Sequence, residues 1–139
     1  MIYCFFVGKF KEKRFQEAVA DYHKRLRTLW PVTLVEIPEN SKEIAKVLES
    51  KRNKGILVSL DAEGERMDSP EFIRWVTQSS PDLHFFAWGA DGPPKNLGDV
   101  KMKSLSLSPM TYSHELARVL LMEQLYRAGA TLKGHPYPR

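Results

Sequence analysis

Ser104-Leu-Ser-Leu-Ser-Pro-Met-Thr-Tyr-Ser-His-Glu-Leu-Ala-Arg-Val-Leu-Leu-Met-Glu-Gln-Leu-Tyr-Arg127 is the stretch whose pattern organises the rest of the chain. It opens as a short strand of alternating leucine and serine, bends at Pro109, and restarts as a helix near Ser113. Ser113 carries the side-chain oxygen an N-cap needs, and Glu115 puts a carboxylate in the first turn, where the helix dipole favours it. Beyond it, Leu116, Val119, Leu120, Leu121, Met122, Leu125, Tyr126 and Ala128 exceed what one apolar stripe can hold. A helix apolar around most of its circumference must be covered on more than one side. The covers available to so small a chain are its own other elements or a second copy of itself.

Working back from that helix, strands and helices alternate. Residues 2–7 are almost wholly apolar, as in a strand buried on both faces, and Gly8 ends them. Phe15, Ala18, Val19, Tyr22, Leu26 and Leu29 follow helical spacing between about Lys11 and Leu29. Val32–Ile37 reads as a second strand and Pro38 stops it. Ser41 is the expected cap of a short helix with Ile44, Val47 and Leu48 inward. Ile56–Leu60 is a third strand, followed by a polar loop, Asp61–Asp68. Ser69 as cap with Pro70 at the first helical position opens the next helix. Leu83–Trp88 and Lys103–Leu107 complete five strands. This order predicts an α/β fold, a mostly parallel sheet flanked by helices, as one domain over 1–139.

With 139 residues, 42% hydrophobic and 27% charged, the chain has the composition of a soluble globular domain. The first residues, Met-Ile-Tyr-Cys-Phe-Phe-Val-Gly, lack a basic n-region and an apolar run of signal length, and no later segment has membrane length. The expectation is a cytoplasmic protein with no membrane association. Cys4 is the one cysteine, and four scattered histidines offer no ligand spacing, so no metal is expected. The net charge of +4 permits a polyanionic partner. Basic residues cluster at Lys9, Lys11, Lys13 and Arg14, at Lys24, Arg25 and Arg27, and at Lys51, Arg52 and Lys54.

Ligands of parallel sheets bind beyond the carboxyl ends of the strands, which nominates the loops after Leu60, Trp88 and Leu107. Gly89 and Gly92 let backbone approach a ligand closely, but they form neither a dinucleotide fingerprint nor a P-loop. No nucleophile elbow is present. His114, at the start of the last helix, is placed to reach a ligand held by the preceding loop. The tail, Gly134-His-Pro-Tyr-Pro-Arg139, combines an aromatic ring with basic groups, a pairing suited to gripping an unpaired base.

These pieces together resemble, nearly end to end, the small SPOUT-class methyltransferases that modify N3 of a pseudouridine in 23S ribosomal RNA. The resemblance rests on Val7-Gly-Lys9, Tyr22-His-Lys-Arg25, Val35-Glu-Ile-Pro38, Leu60-Asp-Ala-Glu-Gly64, Ser69-Pro-Glu-Phe72, Phe86-Ala-Trp-Gly-Ala-Asp-Gly92, the block Leu105–Arg127 and His135-Pro-Tyr137. It implies a C-terminal deep trefoil knot, S-adenosyl-L-methionine as cofactor, a homodimer through the C-terminal helix, and large-subunit ribosomal RNA or the assembled ribosome as partner. By position, the cofactor contacts implied are Leu60, Gly89, Leu107, Ser108, Pro109, Met110, Thr111 and Tyr112. Candidate catalytic residues are His114 for proton handling, and Tyr137 and Arg139 for holding the uridine ring and its phosphate. Arg118, Glu123 and Arg127 read instead as a dimer or helix-end ion-pair set. The chain departs from the family pattern at Ala90, where a second glycine is usual, and at Pro138, where a histidine is usual. The second departure leaves open a relative that binds cofactor or RNA without turnover.

Overall fold

The computed structural model describes residues 1–79, 81–95 and 99–135. Its five strands are β1 (Ile2–Val7), β2 (Val32–Ile37), β3 (Ile56–Arg66), β4 (Leu83–Ala87) and β5 (Lys103–Ser106). They form one sheet in the order β2-β1-β4-β3-β5, every pairing parallel. The helices are α1 (Lys13–Leu29), α2 (Ser41–Lys51), α3 (Ser69–Gln78) and α4 (His114–Leu132).

Strand alternation divides the core in two. Ile2, Cys4 and Phe6 of β1, with Val58 and Phe85, face α1, α3 and α4 and pack on Val19, Leu26, Phe72, Val76, Leu121, Met122 and Leu125. Phe5 and Val7, with Leu57, Phe86 and Trp88, face the opposite way onto Ile44 and Leu48 of α2. The period of two in a strand sorts successive side chains between these layers. On the α2 face Phe5 stacks on Phe86 with centroids 4.8 Å apart, and Phe86 stacks on Trp88 at 5.5 Å. Such pairs add about 0.5–1.5 kcal/mol beyond area burial. Trp88 Nε1 also donates to Ser59 Oγ at 2.8 Å, so this buried polar atom is satisfied.

Sequence and structure differ in informative places. β3 does not stop at Leu60. It runs on through the polar residues 61–66, shifts register between Leu60 and Glu65, and continues to pair with β5. Main-chain pairing of Glu65 and Arg66 with Leu105 and Ser106 anchors the end of this extension, so its side chains need not be apolar. Gly64 is required there, because a Cβ would lie 2.7 Å from the Ser104 carbonyl carbon. The caps of two helices fall one residue earlier than expected. Asn40 caps α2 by accepting from Lys42 and Glu43 N–H, and Asp68 forms a capping box with Glu71 on α3. α1 begins at Lys13 rather than about Lys11. Ser113 caps α4 as expected, its hydroxyl accepting from Leu116 N–H at 3.2 Å.

Candidate active site

The carboxyl ends of β3, β4 and β5 open into one cavity of about 230 Å³. Its walls include Leu60, Asp61 and Ala62 from β3, and Trp88, Gly89, Gly92 and Pro93 after β4. Leu107, Ser108, Met110, Thr111 and Tyr112 come from the loop after β5, with His114 and Ala117 from the start of α4. Of the positions nominated from sequence, Leu60, Gly89, Leu107, Ser108, Met110, Thr111, Tyr112 and His114 therefore share one pocket. Pro109 lies between lining residues without lining the cavity itself. Tyr137 and Arg139 fall outside the described residues. Asp61 and Ala62 belong to the loop nominated after Leu60, and both line the wall.

The loop after β5 is shaped by its serines. Ser106 Oγ donates to Ser108 O at 3.0 Å, and Ser108 Oγ accepts from Met110 N–H at 3.1 Å. These short-range bonds fold the chain tightly without regular structure. Met110 is left 70% exposed and Tyr112 37%, large groups at the mouth of a pocket. A second cavity of about 250 Å³ adjoins through Leu105, Leu107 and Tyr112, and extends to Ser69, Leu120 and Gln124. Its floor is tied by Ser69 Oγ donating to Gln124 Oε1 at 2.7 Å.

Gly89 is buried, and a side chain there would collide with the Glu39 carboxylate. A Cβ there would require the exposed Glu39 side chain to move aside. Ala90 keeps its methyl without strain: among the described residues the one non-glycine with positive φ is Asn53.

The first turns of α4 hold the neighbouring β1–α1 loop by both of its polar ends. Glu115 is 4% exposed, and its Oε1 accepts from Lys11 N–H at 3.0 Å and Glu12 N–H at 3.1 Å. It therefore stabilises the N-terminus of α1, whose own cap residue Glu12 makes no side-chain capping bond. Its Oε2 lies 3.9 Å from His114 Nε2. Arg118, fully buried, donates from Nη2 to Val7 O at 2.6 Å and to Gly8 O at 3.1 Å. Its guanidinium sits between the rings of Phe6 and Phe10, 5.1 and 4.7 Å from their centroids. Burial pulls its pKa below the ordinary arginine range, and the carboxylates of Glu115, Glu36 and Glu39 oppose that pull. The expected ion-pair set is thus corrected. Arg127 pairs with Glu123 at 3.4 Å, whereas Arg118 binds carbonyls of β1.

A sequence model of the family described as "Predicted SPOUT methyltransferase" matches residues 1–138. The chain belongs to the SPOUT methyltransferase family. Among curated SPOUT relatives, "Ribosomal RNA large subunit methyltransferase H" of Coprothermobacter proteolyticus is 35% identical, the match covering 94% of each chain. The protein of the same name from Synechococcus sp. is 40% identical, over 96% of this chain and 92% of its own. A solved structure, a probable methylase family protein from Haemophilus influenzae Rd KW20, superposes with TM-score 0.63 at 11% identity, over 99% of this chain and 72% of that one. That likeness bears on the fold, a parallel sheet flanked by helices. Among the described residues no cluster of three or more His, Cys, Asp or Glu could hold a metal, and no helix is long and apolar enough to cross a membrane.

Proposed function

We propose that this chain is an S-adenosyl-L-methionine-dependent methyltransferase acting on N3 of a pseudouridine in 23S ribosomal RNA of the large subunit. The observation that carries the reading is the meeting of three strand-end loops, 60–62, 88–93 and 107–112, around one cavity with His114 on its wall. The names of the curated relatives supply the substrate class.

The cavity fits the cofactor chemically. Leu60, Trp88, Leu105 and Leu107 give apolar walls for a purine, Asp61 on the wall suits hydroxyl donors, and bare Gly89 lets backbone come close. Leu60, Gly89 and the run Leu107–Tyr112 would hold the bound cofactor, whose sulfonium supplies an electrophilic methyl group. Transfer to a ring nitrogen dissipates charge, so this chain's main task is alignment of the acceptor. The nitrogen must also lose a proton, and His114 handles it from the pocket wall. Tyr137 and Arg139 hold the target ring and its phosphate.

The whole of 1–139 acts as one SPOUT domain in the cytoplasm, its C-terminal segment threaded as a deep trefoil knot. It works as a homodimer through α4. In support, Leu116, Val119 and Leu120 remain only half-buried after α4 has packed Leu121, Met122, Leu125 and Ala128 inward, and Leu132 is 49% exposed.

The test is labelled-methyl transfer to large ribosomal subunits from a strain lacking the modification, followed by mapping of the labelled nucleotide. Label on N3 of one pseudouridine is expected, with His114→Ala lowering the rate. Unchanged transfer by that variant would remove His114 from proton handling. Calorimetric binding of S-adenosylmethionine without any incorporation would instead indicate a protein that binds and does not turn over.

A further inference from the structure

Three clusters of basic residues mark the sequence, and in each of them some cations are already occupied. In the third, Lys51 Nζ rests over Tyr3 and Phe5, 5.2 and 5.9 Å from their centroids. Arg52 is bound by Asp99 and Glu49. In the second, Arg25 pairs with Asp21 at 3.0 Å and lies over Tyr22 and Tyr126. In the first, Arg14 is taken by Glu12 at 2.7 Å and Lys13 is loosely paired with Glu17 at 3.8 Å. Lys9 and Lys11 are exposed and make no ion pair among the described residues, which is equally true of Lys24, Arg27 and Lys54, so it is position that sets the first two apart.

Their position matters as much as their freedom. Both lie in the loop between β1 and α1, at the end of the sheet where the pocket opens. Phe6 pairs with Ala87, so Gly8 and Gly89, two residues further along each strand, end side by side. One carboxylate, that of Glu39, lies against both glycines. On the other side, Glu115 takes the N–H of Lys11 itself while its neighbour His114 lines the cavity. Arg118 fixes the loop's start at Val7 and Gly8. A loop gripped at both ends by the helix that carries His114 keeps the backbone of Lys9 and Lys11 in a set place relative to the pocket.

We propose that Lys9 and Lys11 form a phosphate-docking site for the backbone of the RNA, registered against the pocket by the Glu115 and Arg118 contacts. This rests on the RNA substrate proposed above. Lysines contribute to such binding as point charges that displace counterions, without reading bases. They would set where the RNA strand crosses the sheet end, and so which nucleotide reaches the cavity.

The experiment measures binding of large ribosomal subunits lacking the modification over a range of salt concentrations. It compares the wild-type chain, K9E/K11E and a control, K24E/K54E, which alters as many exposed cations in the later half of α1 and ahead of β3. Methyl transfer by the wild type and calorimetric binding of S-adenosylmethionine by all three are recorded alongside. K9E/K11E is expected to bind subunits about tenfold or more weakly, with the logarithmic salt slope reduced by about 2, while cofactor binding stays unchanged. The control should stay within about twofold of wild type. K9E/K11E binding within that same range, or a control that weakens equally, overturns the proposal. A wild-type chain that neither binds nor methylates subunits would instead sink the functional reading, which the readouts keep separate.

Discussion

Replacing Glu115 with alanine tests whether one carboxylate on α4 holds the start of α1. The side chain is buried, and one of its oxygens receives two backbone N–H groups at 3.0 and 3.1 Å from residues more than 100 positions away. Hydrogen bonds to an ionised acceptor contribute about 1.5–3 kcal/mol each, and losing a helix cap costs about 0.5–2 kcal/mol. These overlap, because the cap is made of those bonds. Glu115→Ala should therefore cost about 3 kcal/mol, and lower Tm by roughly 10 °C in a chain of this size. Glu115→Gln keeps an acceptor oxygen and forfeits only charge and dipole terms, so about 1 kcal/mol is expected. Urea unfolding followed by tryptophan fluorescence and circular dichroism reads both, at matched protein concentrations because self-association would add to apparent stability. An alanine variant within 1 kcal/mol of wild type, or a glutamine variant as damaged as the alanine one, refutes the capping argument.

Gly89→Ala places a methyl against the Glu39 carboxylate, the end of a flexible exposed side chain. Unfolding should shift by less than about 1 kcal/mol while S-adenosylmethionine affinity, measured by calorimetry, falls about tenfold; intact affinity would show that nothing binds closely there. Gly64→Ala meets rigid backbone of β5 instead, and thermal unfolding should register a loss of about 2–3 kcal/mol. A neutral result would mean the β3 extension is loosely held. Burial lowers the pKa of His84, which stacks on Tyr3 at 4.8 Å with Nε2 3.2 Å from Lys54 O. The unfolded chain then takes up a proton near the ordinary histidine pKa of about 6.5 while the folded one does not, so stability falls as pH drops below that value. The slope from this group is at most about 1.4 kcal/mol per pH unit. His84→Phe should flatten the fall between about pH 6.5 and 5, and an unaltered profile would assign it to other groups.

The sequence carried the elements that depend on side-chain burial. Strands β1 and β2 begin and end where apolar runs meet Gly8, Pro31 and Pro38. Ser113 announced the start of α4 because a hydroxyl cap is a local signal. The pocket was legible too, since sheet topology sends three named loops to one end. What escaped was held by backbone atoms. Glu65 and Arg66 rejoin the sheet by main-chain pairing with Leu105 and Ser106, which leaves no apolar period to detect. Glu115 and Arg118 act on N–H and carbonyl groups 103 to 111 positions away, partners that every residue carries and no pattern advertises. Pro70 drew attention to Ser69 as a cap, although the capping box of Asp68 with Glu71 had the better spacing.

The strand order has a consequence for synthesis. β1, which precedes every other strand of the sheet, lies between β2 and β4, and Met1 O accepts from Leu83 N–H. Its end is gripped by Arg118. A nascent chain must therefore carry Phe5 and Phe6 unpaired on one edge until β4 has been translated. Until then that edge of β1 is open to pairing with another strand.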